Sequence, residues 1–278
     1  MSRLAFPLVV LSLALIAPAQ PPAQPRIASE PTSWPMYGGT PGRNMVNLVD
    51  RSILRVTAAE KGLPILWKAD LGSRSYAQPV VAGGRVFVGT NNERPRNKRD
   101  LVIDRFGKEV GPRDMGVLMC FDAGTGKFLW QAVFDKLETG HVQDWPREGL
   151  VSIPTVEGDR VYFISNRCTV VCADVKGFAD GNQGFQGEKY QDPTDADILW
   201  EYDMRRELNV FPHNMSSGCP LIIGDVLITI TSNGVDEGHI NIPSPDAPSL
   251  IALDKRTGKL LWQDNSPGKN IMHGQWSP

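Results

Sequence analysis

Apolar and polar residues along this chain alternate in short runs, and one such pattern occurs three times. Each copy opens with a proline and carries a glycine four residues later, in the segments 79–88, 154–163 and 220–229. The glycines are Gly83, Gly158 and Gly224, and each is followed by glycine or aspartate between two apolar, β-branched stretches. Because a tight turn between strands needs a positive φ, which glycine adopts without steric cost, the pattern predicts a β-hairpin at each position.

A second hairpin motif follows the first one in each copy. Two copies contain an aspartate, a Thr-Gly turn and a tryptophan eight residues after the aspartate. In the first copy these residues are Asp122, Gly126 and Trp130. In the third copy they are Asp254, Gly258 and Trp262. The aspartate side chain can cap the turn, and the glycine supplies its left-handed residue. The middle copy has a long insertion before Trp200, and Trp67 precedes the first copy. Each repeat is therefore predicted to hold four strands in two hairpins.

The spacing of the repeats indicates how these strands are arranged. The four tryptophans at the ends of the motifs are 63, 70 and 62 residues apart. Four-stranded units repeated at this length are typical of β-propeller blades, in which each sheet packs on its neighbours around a ring. We predict an all-β fold in residues 33–278, with a closing strand at Ile65–Trp67 and about three whole antiparallel blades, at about 76–135, 150–203 and 216–264.

The second motif also resembles a known repeat. Asp-x-x-Thr-Gly-Lys-x-x-Trp is similar to the pyrroloquinoline quinone repeat, shared by quinoprotein alcohol and glucose dehydrogenases and by outer-membrane protein assembly propellers. The opening segment from Trp34 to Tyr37 is similar to the start of many quinoprotein propellers, and the closest resemblance is to exported propellers of planctomycete-type bacteria. The resemblance to this repeat family implies a quinoprotein-like β-propeller. Since Pro278 matches another repeat-opening proline, we expect an N-terminal fragment with an incomplete ring.

The N-terminal residues have the pattern of a secretory signal peptide. Arg3 precedes the apolar run Leu4–Ile16, and Ala17-Pro-Ala19 has the small–x–small form of a cleavage site. We expect residues 1–19 to direct export to the periplasm or the extracellular space, and residues 20–32, rich in Pro, Ala and Gln, to form a disordered linker. The apolar run is too short to span a membrane. The net charge of −2 provides no basic excess for nucleic acid.

The cysteines bear on both redox state and cofactor. Cys120, Cys168, Cys172 and Cys219 lie mostly in apolar strand patterns, which is compatible with buried free thiols or with one Cys168–Cys172 disulfide. In quinone-binding members of the family that the repeats resemble, the cofactor lies on a tryptophan floor under an adjacent Cys-Cys disulfide, with calcium and a catalytic aspartate. This sequence has no adjacent cysteine pair, and no calcium ligand or catalytic residue can be matched. No cofactor is assigned, and pyrroloquinoline quinone with calcium is the alternative.

Histidines mark a candidate binding surface. Three of the four precede a repeat-opening proline, where the chain enters the first strand of a blade near the axis of the ring. We expect a polar ligand-binding surface formed by His141, Arg147, Glu148, His213, Asn214, His273 and Gln275. Histidine can serve there as an acid, a base or a metal ligand near neutral pH. The alternative is that these side chains bind the backbone that connects the blades.

Inserted segments contain further candidates for metal binding. Asp180 and Asn182 are similar to the start of a calcium loop, in which alternate oxygen-bearing side chains face the ion. Asp236, Glu237 and His239 lie together in another insertion. In both cases the alternative is a solvated loop. The stretch 91–116, which carries mixed charge, is predicted to be a solvated or partner-facing loop.

Intact structural motifs alongside missing cofactor motifs favour a non-catalytic, exported propeller. Such a protein would bind a protein, a carbohydrate or a small molecule through its loops and axial face. The alternative is a quinone-dependent dehydrogenase that oxidises an alcohol or a sugar, in which the cofactor performs the oxidation and the protein orients it.

Overall fold

The computed structural model describes residues 33–47 and 65–276. Within them the chain forms three four-stranded antiparallel sheets and one two-stranded hairpin. The predicted all-β fold of four-stranded antiparallel blades is thus confirmed. The predicted signal peptide at 1–19, the predicted linker at 20–32 and the repeat-opening Pro278 lie outside the described residues.

The strands of each sheet follow one another in chain order. The first blade consists of β1 (Val80–Ala82), β2 (Arg85–Asn91), β5 (Met115–Asp122) and β6 (Phe128–Asp135). The second consists of β7 (Thr155–Glu157), β8 (Arg160–Ile164), β9 (Thr169–Asp174) and β10 (Ile198–Asp203). The third consists of β11 (Leu221–Ile223), β12 (Val226–Ile230), β13 (Leu250–Asp254) and β14 (Leu260–Asp264).

Helical structure in the described residues is short. Helix α1 (Met204–Leu208) follows β10 and is capped by Asp203, whose carboxylate accepts hydrogen bonds from the N–H groups of Arg205 and Arg206. Four 3₁₀ turns cover Lys98–Asp100, Gly140–Val142, Gly177–Asp180 and Gly268–Asn270. No helix in the two described ranges has the length and apolar character needed to cross a bilayer.

Tryptophans at the ends of repeats join one blade to the next. Trp130 Nε1 donates a hydrogen bond to the Val175 carbonyl at 3.0 Å, and Trp200 Nε1 donates to the Lys255 carbonyl at 3.2 Å. Each acceptor is the residue directly after the turn aspartate of the next repeat, since Val175 follows Asp174 and Lys255 follows Asp254. Trp67 makes the same contact with the Ala123 carbonyl at 2.8 Å. The indole thus provides both an apolar face for the interface and one directed hydrogen bond.

Two apolar cores lie between the blades. The first combines residues of the first and second blades, with Phe87, Trp130 and Phe163 among its largest side chains. The second combines residues of the second and third blades, including Tyr162 and Trp200. Both faces of the second sheet are therefore covered, which explains why its two central strands, β8 and β9, carry runs of consecutive apolar residues rather than an alternating pattern.

Three local predictions need correction or completion. Residues 65–67 are not part of a strand, although Trp67 docks as the other repeat tryptophans do. The stretch 91–116, predicted as a solvated or partner-facing loop, also contains a hairpin of β3 (Leu101–Ile103) and β4 (Glu109–Pro112), which the prediction did not include. All four cysteines are buried free thiols, so the alternative of a Cys168–Cys172 disulfide is not realised in this structure.

Candidate functional site

Most of the candidate binding residues lie at one end of the blades. Each sheet has four antiparallel strands, so its connections alternate between two ends. The turns that join the first strand to the second and the third strand to the fourth lie at one end. The connection from the second strand to the third, and the links from one blade to the next, lie at the other end. We call the latter end the loop face; it is formed by residues 92–114, 136–154, 165–168, 204–220, 231–249 and 265–276. The candidates on it are His141, Arg147, Glu148, His213, Asn214, Asp236, Glu237, His239, His273 and Gln275.

Three histidines from three separate connections meet on the loop face. His213 precedes β11, His239 lies between β12 and β13, and His273 follows β14. One ring nitrogen from each lies within 4.8 Å of the other two. We call these residues the histidine cluster. The position before a repeat-opening proline predicts that His213 and His273 share a binding surface, whereas the sequence places His239 in a separate insertion. No sequence signal unites all three.

His213 is the buried member of the cluster. Its Nδ1 lies 2.7 Å from the Val235 carbonyl oxygen, and because a carbonyl only accepts, Nδ1 carries the proton. In the neutral ring Nε2 then has a free lone pair, and this buried atom has no hydrogen-bond partner among the described residues. Burial lowers the pKa of His213; the bond to Val235 opposes that shift, and the two neighbouring imidazoles add to it. The ring is therefore neutral at pH 7.

His239 and His273 lie at the surface of the cluster. Their Nε2 atoms are 2.8 Å apart, and their rings stack with an interplanar angle of 14°. The loop that carries His239 is held by Asp236, whose carboxylate accepts from Ile240 N–H at 2.9 Å and from Asn241 Nδ2 at 2.7 Å. These hydrogen bonds lower the pKa of Asp236. Asp236 therefore orders the loop as a carboxylate.

Backbone packing brings the three connections together. The Val235 N–H donates to the His273 carbonyl at 3.2 Å, and Trp276 Nε1 donates to the His213 carbonyl at 3.1 Å. Gly234 lies between them, and a Cβ at this position would fall 2.5 Å from Cβ of His213 and 2.7 Å from the His273 carbonyl oxygen. Only glycine permits this approach, so Gly234 is a residue of the site that the repeat pattern did not identify.

The remaining loop-face candidates have partners elsewhere. Arg147 pairs with Glu93 at 3.4 Å, and Glu148 pairs with Arg74 at 3.0 Å. His141 packs edge-on against Trp145. These contacts belong to the first blade and to its link with the second, so the structure does not bring these residues into the histidine cluster.

Asn214 and Gln275 connect loops to one another. The Asn214 N–H donates to the Val142 carbonyl at 2.7 Å, and the Asn214 carbonyl accepts from Trp145 N–H at 2.6 Å. Gln275 Nε2 donates to the Ser249 hydroxyl oxygen. Asn214 thus joins two links between blades through its main chain, and Gln275 contacts the connection between β12 and β13 through its side chain.

Asp180 and Asn182 lie at the opposite end of the blades, between β9 and β10. The Asp180 carboxylate is 2.7 Å from Lys176 Nζ. The Asn182 side-chain oxygen accepts from the Gly184 N–H at 3.2 Å and from Gln186 Nε2 at 2.8 Å. One carboxylate oxygen of Asp180 and the side-chain oxygen of Asn182 are thus engaged within the loop.

The described residues do not fit the quinone site that the family resemblance implies. The four cysteines are separate buried thiols, and the docked tryptophans Trp130 and Trp200 are buried between blades rather than open to a ligand. No catalytic step through a quinone is therefore derived. What the loop face offers chemically is three clustered imidazoles, and imidazole is a good ligand for zinc, copper, iron and nickel.

Four-stranded antiparallel blades that pack on one another through apolar cores define a β-propeller fold of the quinoprotein type. Residues 55–273 match the model of the family described as outer membrane protein assembly factor BamB. The chain belongs to this family. No curated protein sequence matches the chain.

Solved structures similar to the chain include two alcohol dehydrogenases and one BamB. Quinohemoprotein alcohol dehydrogenase from Comamonas testosteroni aligns with a TM-score of 0.50 and 15% identity, over 83% of this chain and 27% of that chain. ADHIIG from Pseudomonas putida HK5 has a TM-score of 0.49 and 17% identity, over 84% and 27%. BamB from Moraxella catarrhalis has a TM-score of 0.22 and 13% identity, over 68% and 73%. The Comamonas alignment supports the fold alone, and the chain spans about a quarter of either dehydrogenase.

Proposed function

We propose that this chain is an exported, non-catalytic propeller that binds a polypeptide partner through its loop face. The observation that carries this proposal is the set of exposed apolar side chains on that face: Val102, Ile103, Phe106, Val110, Trp145, Ile240, Met272 and Trp276. These are eight of the seventeen exposed large apolar side chains among the described residues, and exposed apolar groups that share one face are typical of interaction sites. The family description, an assembly factor for outer membrane proteins, supports a partner that is itself a protein.

Two regions of the loop face provide this apolar surface. The β3–β4 hairpin presents Val102, Phe106 and Val110 to solvent. Near the histidine cluster, Ile240 is 83% exposed and Met272 is 90% exposed. Each of these two residues is adjacent in sequence to a clustered histidine, so a partner seated there would also cover the imidazoles.

Site-specific photo-crosslinking in cells tests the partner. A photoreactive amino acid replaces Ile240 or Met272 on the loop face, and Ile223 or Phe185 at the opposite end serves as the matched control, since both controls are also exposed apolar residues. We expect a discrete crosslinked protein from the loop-face positions and none from the controls. Equal crosslinking at both ends, or none at either, would contradict the proposal.

Mass spectrometry of the exported chain, with Gln20 expected as its first residue, tests export.

Quinone chemistry is the competing function. The purified chain is given pyrroloquinoline quinone and calcium, together with an alcohol or glucose and an artificial electron acceptor. We expect neither saturable quenching of tryptophan fluorescence nor reduction of the acceptor. Reduction of the acceptor would replace the binding function with that of a dehydrogenase.

A further inference from the structure

We propose that His213, His239 and His273 bind one divalent transition-metal ion of the zinc type. The site lies on the face assigned to partner binding and deepens that function, but metal binding itself requires no partner.

The three donor nitrogens lie close enough together to share one ion. Zinc–imidazole distances of about 2.0–2.1 Å at tetrahedral angles place ligand nitrogens about 3.3–3.4 Å apart. The Nε2 atoms of His239 and His273 are 2.8 Å apart, and the ligand nitrogens of all three histidines lie within 4.8 Å of one another. The 2.8 Å separation is shorter than the required value, and His239 is an exposed side chain whose rotation can bring the three nitrogens to the distances that one ion needs.

His213 is oriented as a metal ligand before any ion arrives. Metal-binding histidines usually donate their second ring N–H to a carbonyl or a carboxylate, which sets the tautomer and the ring orientation. The His213 Nδ1–H makes this bond to the Val235 carbonyl at 2.7 Å. The opposite atom, Nε2, is fully buried and has no partner among the described residues.

A buried nitrogen without a hydrogen bond is unfavourable, and each such atom in a folded protein needs an explanation. A metal ion shared with His239 and His273 would use the lone pair of His213 Nε2. Trp276 completes the surroundings, because its ring stacks on His213 and meets His273 edge-on, with ring centroids 6.0 Å and 4.7 Å away. Trp276 thus covers part of the cluster, whereas His239 is exposed, so a fourth ligand would enter beside His239.

Metal titration of the full chain, stripped with a chelator and carrying no polyhistidine tag, tests the site. Zinc is titrated by calorimetry, and cobalt(II) serves as a spectroscopic substitute whose visible absorption intensifies in tetrahedral coordination. We expect one ion per chain and the tetrahedral cobalt spectrum. His239→Ala and His273→Ala should each weaken zinc binding on the order of 100-fold, since loss of even an outer-shell partner weakens metal affinity about 10–100-fold.

His141→Ala is the matched control, because His141 is the fourth histidine, lies on the same face and packs against Trp145 outside the cluster. It should leave zinc affinity and the cobalt spectrum unchanged, and circular dichroism checks the fold of each variant. Absence of saturable one-ion binding, or an equal loss in His141→Ala, would overturn the metal site. A chain that crosslinks to a partner but binds no zinc refutes the metal site alone, and one that binds zinc without crosslinking refutes the partner alone.

Discussion

At the scale of single residues, the repeat tryptophans show how one side chain type can stabilise the molecule or contribute little. Trp130 and Trp262 occupy equivalent positions, each the third residue of its strand, in β6 and β14. Trp130 is 1% exposed and donates to the Val175 carbonyl, whereas Trp262 is 43% exposed. The difference arises because the first indole has a neighbouring blade to cover it in the described residues.

This difference leads to a paired mutational prediction. Trp130→Ala should lower the free energy of unfolding by about 3–5 kcal/mol, because it removes a large buried side chain and leaves a cavity. Trp262→Ala should change it by less than about 1 kcal/mol, as expected for a half-exposed position. Chemical denaturation of the two variants, compared with the parent chain, measures both values. Equal losses would show that docking between blades does not distinguish these residues.

At the scale of elements, the second hairpin of a repeat is defined by its turn. The Asp254 carboxylate accepts from Thr257 N–H and from the Thr257 hydroxyl, both at 2.8 Å, and these bonds lower the pKa of Asp254. Asp122 and Thr125 form the same arrangement in the first blade. Gly258 then turns the chain with φ +71°, and its Cα lies directly against the ring of Trp200.

Two glycine variants separate backbone conformation from docking. Gly224 has φ +59° with open space around it, so Gly224→Ala should cost about 1–2 kcal/mol for the left-handed conformation alone. At Gly258 a Cβ would lie 2.5 Å from the Trp200 ring, so Gly258→Ala should cost about 1–3 kcal/mol more through overpacking. Equilibrium denaturation compares the two variants. Equal destabilisation would mean that the Trp200 contact has no energetic weight.

At the scale of the whole molecule, the cysteines report on the blade interfaces. Cys120 belongs to the core between the first and second blades, and Cys168 and Cys172 belong to the core between the second and third. Burial raises the pKa of both Cys168 and Cys172 to about 12. These thiols are therefore neither accessible nor ionised near pH 8, and only the thiolate is reactive.

Thiol labelling tests this packing. Under native conditions iodoacetamide should leave all four cysteines unmodified, and denaturation without a reductant should expose four reactive thiols. Intact-mass spectrometry counts the modified residues. Rapid labelling of the native chain would show that a blade interface is open, and only two reactive thiols after denaturation would show that a disulfide had formed.

The hairpins and blades could be predicted because their determinants lie close together in sequence. A glycine with positive φ, an aspartate that caps its own turn and an alternation of apolar residues act within about ten positions, and strands that pair across such turns need no distant information. Residues 65–67 were wrongly predicted as a strand, because a strand exists only where a neighbour provides hydrogen bonds. The β3–β4 hairpin was missed because mixed charge indicates an exposed segment without indicating its secondary structure, and the hairpin strands are mostly exposed.

The amino-acid sequence by itself determined the repeat unit, the turns and the tryptophans that join the blades, since local backbone preference and side-chain periodicity encode them. Only the tertiary structure decided which polar residues form a site. His213, His239 and His273 come from connections of no fixed length or pattern, and their convergence depends on the close approach at Gly234 and on the Val235–His273 backbone hydrogen bond. Such contacts depend on how separate loops pack on the finished blades, and no local periodicity in the chain records them.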